Sequence, residues 1–152
     1  KIYEFSDYQC PFCSQADALI AQVLTANPDV AFVYKQFPLT SIHPQAMPAA
    51  KAALAAGKQG KYWEYHEILF KNQRALGPDQ LKEYAKQVGL DVPKWEKDMN
   101  SPEIADQINA EMKEASTAEV RGTPTIFVNG KRVMNRSVDG FKQLIDEAKA
   151  KS

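Results

Sequence analysis

The spacing of apolar residues changes period along the chain and divides it into three stretches. In the first, Ile2-Tyr3-Glu4-Phe5 reads as a short strand. Ser14 to Leu24 then carries Leu19, Ile20 and Val23 at helical spacing. Asn27-Pro28-Asp29 breaks that helix. Val30 to Phe37 is a β-rich run that Pro38 closes. This β-α-β order predicts a parallel pair joined by a right-handed crossover.

The second stretch is helical throughout. Ser41 to Ala56 is alanine-rich and ends at Gly57, and Pro44 and Pro48 both fit near its start. Lys61 to Asn72 places Tyr62, Tyr65, His66 and Leu69 on one face. Gly77-Pro78 opens a helix with Leu81, Tyr84, Ala85 and Val88 that stops at Gly89. Asp91 caps a short helix through Trp95 and Met99. Ser101-Pro102 starts another, which runs through Ile104, Ile108 and Met112 to about Ala118. In the third stretch the β pattern returns at Thr125 to Val128. Asn129-Gly130 is a strong hairpin signal, and Lys131 to Met134 follows it. Asp139-Gly140 then leads a last helix with Phe141, Leu144, Ile145 and Ala148 on one side. The predicted fold is α/β, a small mixed sheet with an all-helical insertion.

The 152 residues suffice for one domain with a substantial core. The expected division is a core of about residues 1–40 and 119–152 around an insertion of about 41–118. Lys plus Arg and Asp plus Glu number 19 each, which gives no electrostatic footprint for nucleic acid. No run approaches the roughly 18 apolar residues of a transmembrane segment. Lys1 opens directly onto a strand with no signal-like lead-in, so the chain is expected to be a processed or trimmed form.

The chemistry concentrates in Cys10-Pro11-Phe12-Cys13, which holds both cysteines of the sequence. A strand, a tight turn and a helix would put Cys10 at the N-cap, Pro11 at N1 and Cys13 at N3. Proline suits N1 because its missing N–H is one of the helix's orphan donors. The free N–H groups and the positive end of the helix dipole favour a thiolate at Cys10. Acidification by two or three units below ambient pH is expected, which points to disulfide exchange. A zinc site would need four ligands, and His43 and His66 stand at spacings unlike any finger or ribbon. A structural disulfide across so short a loop would restrain little chain.

Glu-Phe-Ser-Asp-Tyr-Gln-Cys-Pro-Phe-Cys (4–13), Phe37-Pro38-Leu39 with Ile42-His43-Pro44, and Arg-Gly-Thr-Pro-Thr (121–125) before Val128-Asn129-Gly130 together resemble DsbA-like thiol-disulfide oxidoreductases of the thioredoxin superfamily. The resemblance spans nearly the whole chain. It implies a thioredoxin fold and an extracytoplasmic, periplasm-like setting. It makes Cys10 the exposed nucleophile and Cys13 the resolving thiol. Pro124 becomes the cis-proline, and Thr123 offers its backbone to an extended substrate. Glu4 corresponds to a buried acid beneath the site, able to take the Cys13 proton. Lys35 is a candidate neighbour for it. Pro11, Phe12 and Tyr8 are expected at the substrate surface. Family members with a histidine inside the motif have an added cationic stabiliser, and Phe12 stands in its place here. His43 and His66 are expected to be structural.

The resemblance further implies unfolded or reduced protein substrates, a membrane redox partner, and no cofactor or metal beyond the redox-active pair itself. Three readings follow. The first is a dithiol oxidase that donates the Cys10–Cys13 disulfide. The second is an isomerase or reductase of the same superfamily, and the third a non-catalytic chaperone or binding module.

Overall fold

The computed structural model describes residues 1–150, so the last two residues of the expected core segment lie outside the described residues. The first unit is β1 (Ile2–Ser6), α1 (Pro11–Ala26) and β2 (Phe32–Gln36). Five helices follow: α2 (Ala46–Gly57), α3 (Tyr62–Lys71), α4 (Pro78–Gln87), α5 (Val92–Met99) and α6 (Pro102–Thr117). The chain closes with β3 (Thr125–Val128), β4 (Lys131–Arg132) and α7 (Val138–Ala150). The fold is the thioredoxin-like α/β arrangement expected, with helices α2 to α6 between its two β-containing parts.

The four strands stand in the order β2-β1-β3-β4. β1 runs parallel to β2 and antiparallel to β3. The β3–β4 turn has Asn129 at φ 48° and Gly130 at φ 87°. Positive φ at both central positions matches the twist of a tight hairpin, and these residue types tolerate it best. β4 is two residues shorter than the expected run to Met134, which is 84% exposed.

Alternation along β1 gives the sheet two different faces. Ile2, Ile126 and Val128 pack beneath α1 and α7 against Ala16, Ile20, Val23, Phe141 and Ile145. Phe5 points the opposite way, toward Ala115 of α6 and Val120. The inserted helices have their own core around α2, whose Ala49, Ala50, Ala52, Ala53, Ala55 and Ala56 are all buried. Small side chains on every face let neighbouring helices approach this one closely. Trp95 donates its indole N–H to the Ala52 carbonyl at 3.0 Å. α2 begins at Ala46 rather than near Ser41, because the residue before Pro44 is disfavoured in helical backbone. Among the described residues, no helix is long and apolar enough to cross a membrane.

Candidate active site

Cys10 is the N-cap of α1, Pro11 is N1 and Cys13 is N3, with Cys10 in extended backbone at φ −74° and ψ 118°. The Cys10 carbonyl accepts from the N–H groups of Cys13 at 3.1 Å and Ser14 at 3.3 Å, which closes the first helical turn. Both cysteines are free thiols. Cys13 is wholly buried. Cys10 is only 5% exposed, more covered than expected for the nucleophile. Its thiol donates to the Thr123 carbonyl at 3.6 Å, and this cross-chain contact covers the sulfur. Phe12, by contrast, is 64% exposed, and Pro11 beside it is exposed.

The two thiols have opposite acid–base character. Cys10 is lowered to about 6, first by hydrogen bonding from the Cys13 thiol and then by the Thr123 side chain and the Cys13 backbone; burial and the Asp7 charge work the other way. That is about one unit below neutral pH, less than the two or three expected, because burial offsets part of the gain. Cys13 is pushed far up, above all by burial, and then by its partnership with the Cys10 thiolate. An exchange centre needs such an asymmetry, with one sulfur ready as thiolate and the other holding its proton.

The Thr123–Pro124 peptide bond is cis. Arg136 holds this loop by donating to the Pro124 carbonyl at 2.9 Å. The Thr123 hydroxyl is buried, and none of its bonds meets hydrogen-bond geometry.

Beneath the pair, one face of β1 and β2 places Glu4 opposite Tyr34 and Ser6 opposite Gln36. Glu4 and Ser6 are completely buried, and Tyr34 is nearly so. Both Glu4 carboxylate oxygens, the Ser6 hydroxyl and the Tyr34 phenol lack a hydrogen-bond partner. Burial raises the Glu4 acid well above the usual carboxylate range; the Asp17 charge adds to this and Arg136 opposes it. Lys35 is not the neighbour considered from sequence. It points to the other face and pairs with Glu114 at 3.2 Å, as the period-two pleat requires.

The strand-to-helix loop is held on its other side by a hydrogen-bond network in which His43 and His66 take structural parts. Asp7 accepts from the N–H of Gln9 at 2.7 Å, the N–H of Leu39 at 2.8 Å and His43 Nδ1 at 2.8 Å. Tyr8, expected at the substrate surface, is instead only 1% exposed and stacks on Tyr34 with ring centroids 5.2 Å apart. His66 has both ring nitrogens engaged, Nε2 with Asp17 at 2.7 Å and Nδ1 with the Tyr8 hydroxyl at 2.8 Å. Asp17 only accepts, so a neutral ring carries its hydrogen on Nε2 and Nδ1 accepts from Tyr8. The Tyr8 oxygen then accepts from Tyr62 at 2.8 Å, and Tyr62 in turn accepts from Gln36 Nε2 at 2.8 Å. Gln73 Nε2 donates to the carbonyls of Tyr8 at 2.8 Å and Cys10 at 2.9 Å. Asp7 and Tyr8 lie inside the motif read from sequence. Nothing local in the sequence marks Gln73, which arrives from the turn after α3.

The model of the DSBA-like thioredoxin domain family matches residues 1–146. Among solved structures, a thioredoxin-like oxidoreductase from Silicibacter pomeroyi DSS-3 is 31% identical, with a TM-score of 0.89, over 98% of this chain and 86% of that one. BdbD from Bacillus subtilis shares the fold at 24% identity and a TM-score of 0.84, over 96% of this chain and 85% of that one. A protein of Salinispora arenicola named Na(+)/H(+) antiporter NhaA 1 is 38% identical over 131 residues, which are 86% of this chain and 20% of that protein. The chain thus spans about a fifth of the length of the curated relatives it matches.

Proposed function

The chain belongs to the DsbA-like thioredoxin-domain family of thiol-disulfide oxidoreductases, and we propose that it acts as a dithiol oxidase, donating a Cys10–Cys13 disulfide to reduced or unfolded extracytoplasmic proteins. The observation that carries this reading is the placement of the pair, with Cys10 at the N-cap of α1 against the Thr123 carbonyl and Cys13 wholly buried at N3. This arrangement favours the thiolate at Cys10 over Cys13. The substrates are polypeptides, and a membrane redox partner restores the disulfide. No cofactor beyond the cysteine pair takes part. The whole chain works as one unit, with the core at about 1–40 and 119–152 around the insertion at about 41–118.

In the forward direction a client thiolate attacks Cys10 Sγ. The Cys10–Cys13 bond breaks and Cys13 leaves as a thiolate that must gain a proton, since burial disfavours its charge. Glu4, whose burial favours its protonated form, supplies that proton from the sheet face it shares with Ser6 and Tyr34. A second client thiolate then attacks the client sulfur, and Cys10 leaves as the stabilised thiolate. The client loses two electrons and the pair gains them. Glu4 recovers its proton from solvent before the next turnover. Thr123 and Pro124 border the sulfur, while Pro11 and Phe12 offer an exposed apolar contact. In the oxidised state Cys10 has no thiol hydrogen, so the Thr123 carbonyl is released to accept from a client backbone N–H.

Separating the two cysteines tests the assignment. Cys13→Ala should accumulate a mixed disulfide between Cys10 and a disulfide-bearing client, because no resolving thiol remains, and Cys10→Ala should trap little. Trapping by both variants alike would refute the roles. Incubating the oxidised protein with a reduced client tests direction. Disulfides should appear in the client, and their absence would hand the function to the reductase or isomerase reading.

A further inference from the structure

Two hollows run down the flank of α1 that faces α3. The lower one encloses about 420 Å³, bounded by Ile20 and Leu24 of α1, Phe32 of β2 and Trp63 of α3. The upper one encloses about 440 Å³ and reaches Ser14, next to Cys13, passing Phe70 and Lys71. Both are also lined by Asp17 and Glu67, so they join at a pair of carboxylates. His66 takes Asp17 Oδ1, and no bond to Oδ2 is made among the described residues. Glu67 is exposed and likewise forms no ion pair among them. Past the carboxylates the floor turns apolar. Trp63 there is 44% exposed and lies against Phe32 with centroids 5.6 Å apart. The furrow therefore begins next to the redox turn at Ser14, passes two carboxylates and ends in an aromatic and aliphatic hollow.

Resting on the oxidoreductase reading above, we propose that this furrow holds one arm of the polypeptide client, with a basic side chain between Asp17 and Glu67 and an apolar one against Trp63. The spacing fixes the register. Asp17 follows Cys10 by seven residues, a helical rise of about 10 Å, which an extended client covers in about three residues at roughly 3.3 Å each. Leu24 follows Cys10 by fourteen, about 21 Å, or about six client residues. The preferred client carries Lys or Arg about three positions from its reactive cysteine and an apolar residue about three further on. Carboxylates beside an apolar floor match both parts of a lysine or arginine side chain, its hydrocarbon stem and its charged head.

The test uses Cys13→Ala protein and single-cysteine peptides activated as thionitrobenzoate mixed disulfides, with release of the coloured leaving group giving the rate of capture at Cys10. Peptides carry Lys, Ala or Glu three positions from the cysteine, on either side, and Phe three positions beyond. On one side of the cysteine, Lys peptides should react about three- to fivefold faster than Glu peptides in dilute buffer, the scale of one partly exposed charge pair. The ratio should shrink with added salt. Glu67→Lys should reverse the order of the Lys and Glu peptides, and the captured Phe peptide should alter Trp63 fluorescence. Equal rates for Lys and Glu peptides, or a preference that survives Glu67→Lys, would overturn the proposal while capture itself leaves the oxidoreductase reading intact. Failure of Cys10 to capture any activated peptide would remove that reading, and this inference with it.

Discussion

The buried polar groups on the two sides of the Cys10–Cys13 turn are treated in opposite ways. Toward the inserted helices, Asp7, Tyr8, Tyr62, His66 and Gln36 form hydrogen bonds at 2.7 to 2.9 Å. Toward the sheet, Glu4, Ser6 and Tyr34 leave their side-chain oxygens without partners. A buried polar group that is paired adds a modest net stabilisation, whereas an unpaired one costs about 1–3 kcal/mol. Pairing is the economical arrangement, so unpaired oxygens gathered under a redox pair mark the place where stability is traded for chemistry. The satisfied side fixes the loop, and the unsatisfied side holds an acid whose burial favours its protonated form. Substitutions on the two sides should therefore act with opposite sign.

The largest effect is expected on the satisfied side. Asp7→Ala removes the acceptor of two backbone N–H groups and of His43, all close to the redox turn. Losing charge-assisted bonds of this kind should cost about 3 kcal/mol or more. Asp7→Asn keeps one acceptor oxygen and should cost less. It should also lower the Cys10 thiol further, since the Asp7 charge raises it. Denaturant melts of both variants and the pH dependence of Cys10 alkylation measure these outcomes. An Asp7→Ala protein as stable as the wild type would break the comparison on this side.

The next effect is about 2 kcal/mol and needs no mutation. Cys10 lies at about 6 in the folded dithiol, against about 8.5 for an unfolded thiol. A depressed value stabilises the reduced fold fully above the unfolded value, and that stability is lost as pH falls through about 6. The contribution is a fraction of a kcal/mol at pH 6 and about 2–3 kcal/mol at pH 8. Cys13, displaced upward, adds an opposing change only above about pH 8.5, where unfolded thiols ionise. A disulfide closing this four-residue loop stabilises the oxidised fold by about 2 kcal/mol at any pH. Between pH 6 and 8 the reduced form should therefore gain about 2 kcal/mol on the oxidised one and draw level with it near about pH 7.5. Parallel unfolding of both forms across that range gives the gap directly. A gap that does not move with pH would mean that Cys10 is not the acidified thiol.

How much of this was legible depended on how local the cause was. The helix start at Cys10-Pro11, the Asn129-Gly130 hairpin and the five inserted helices rest on short-range preferences, and the sequence pattern placed them. Burial of Glu4 was legible too, as an acid set among Ile2, Tyr3 and Phe5. The partners of His66 were not, since Asp17 and Tyr8 lie 49 and 58 positions away and meet it only through packing. Tyr8 was misplaced because an aromatic beside an active-site motif looks the same in sequence whether it faces a client or the core. The acidity of Cys10 was overstated for a related reason. A helix terminus can be read from Pro11, but the burial that opposes it, like the contact with Thr123 113 positions away, arises only from tertiary packing.

The effect expected at Glu4 carries the opposite sign. Glu4 is displaced upward by burial, so its folded form resists ionisation while the unfolded chain ionises near the ordinary value of about 4.3. An acid raised in this way contributes stability that is lost as pH rises above that ordinary value. Glu4→Gln removes the ionisation but leaves a buried amide. The variant should be more stable than the wild type at neutral pH, with the advantage shrinking toward pH 4. A purely structural acid would show no more than this. If Glu4 exchanges a proton with Cys13, the same variant should also release a client from a preformed Cys10 mixed disulfide about tenfold more slowly or worse, since general acid–base help of this kind is worth at least that much. Its rate should follow pH as an unassisted Cys13 thiol would, rising with hydroxide and showing no inflection from a carboxyl group. A stabilised Glu4→Gln protein that resolves the mixed disulfide at the wild-type rate and with the wild-type pH profile would separate the two halves of the comparison. The unpaired acid would then be a cost that the fold carries without using it in exchange, and the proton for Cys13 would have to come through Ser6 and Tyr34 from elsewhere.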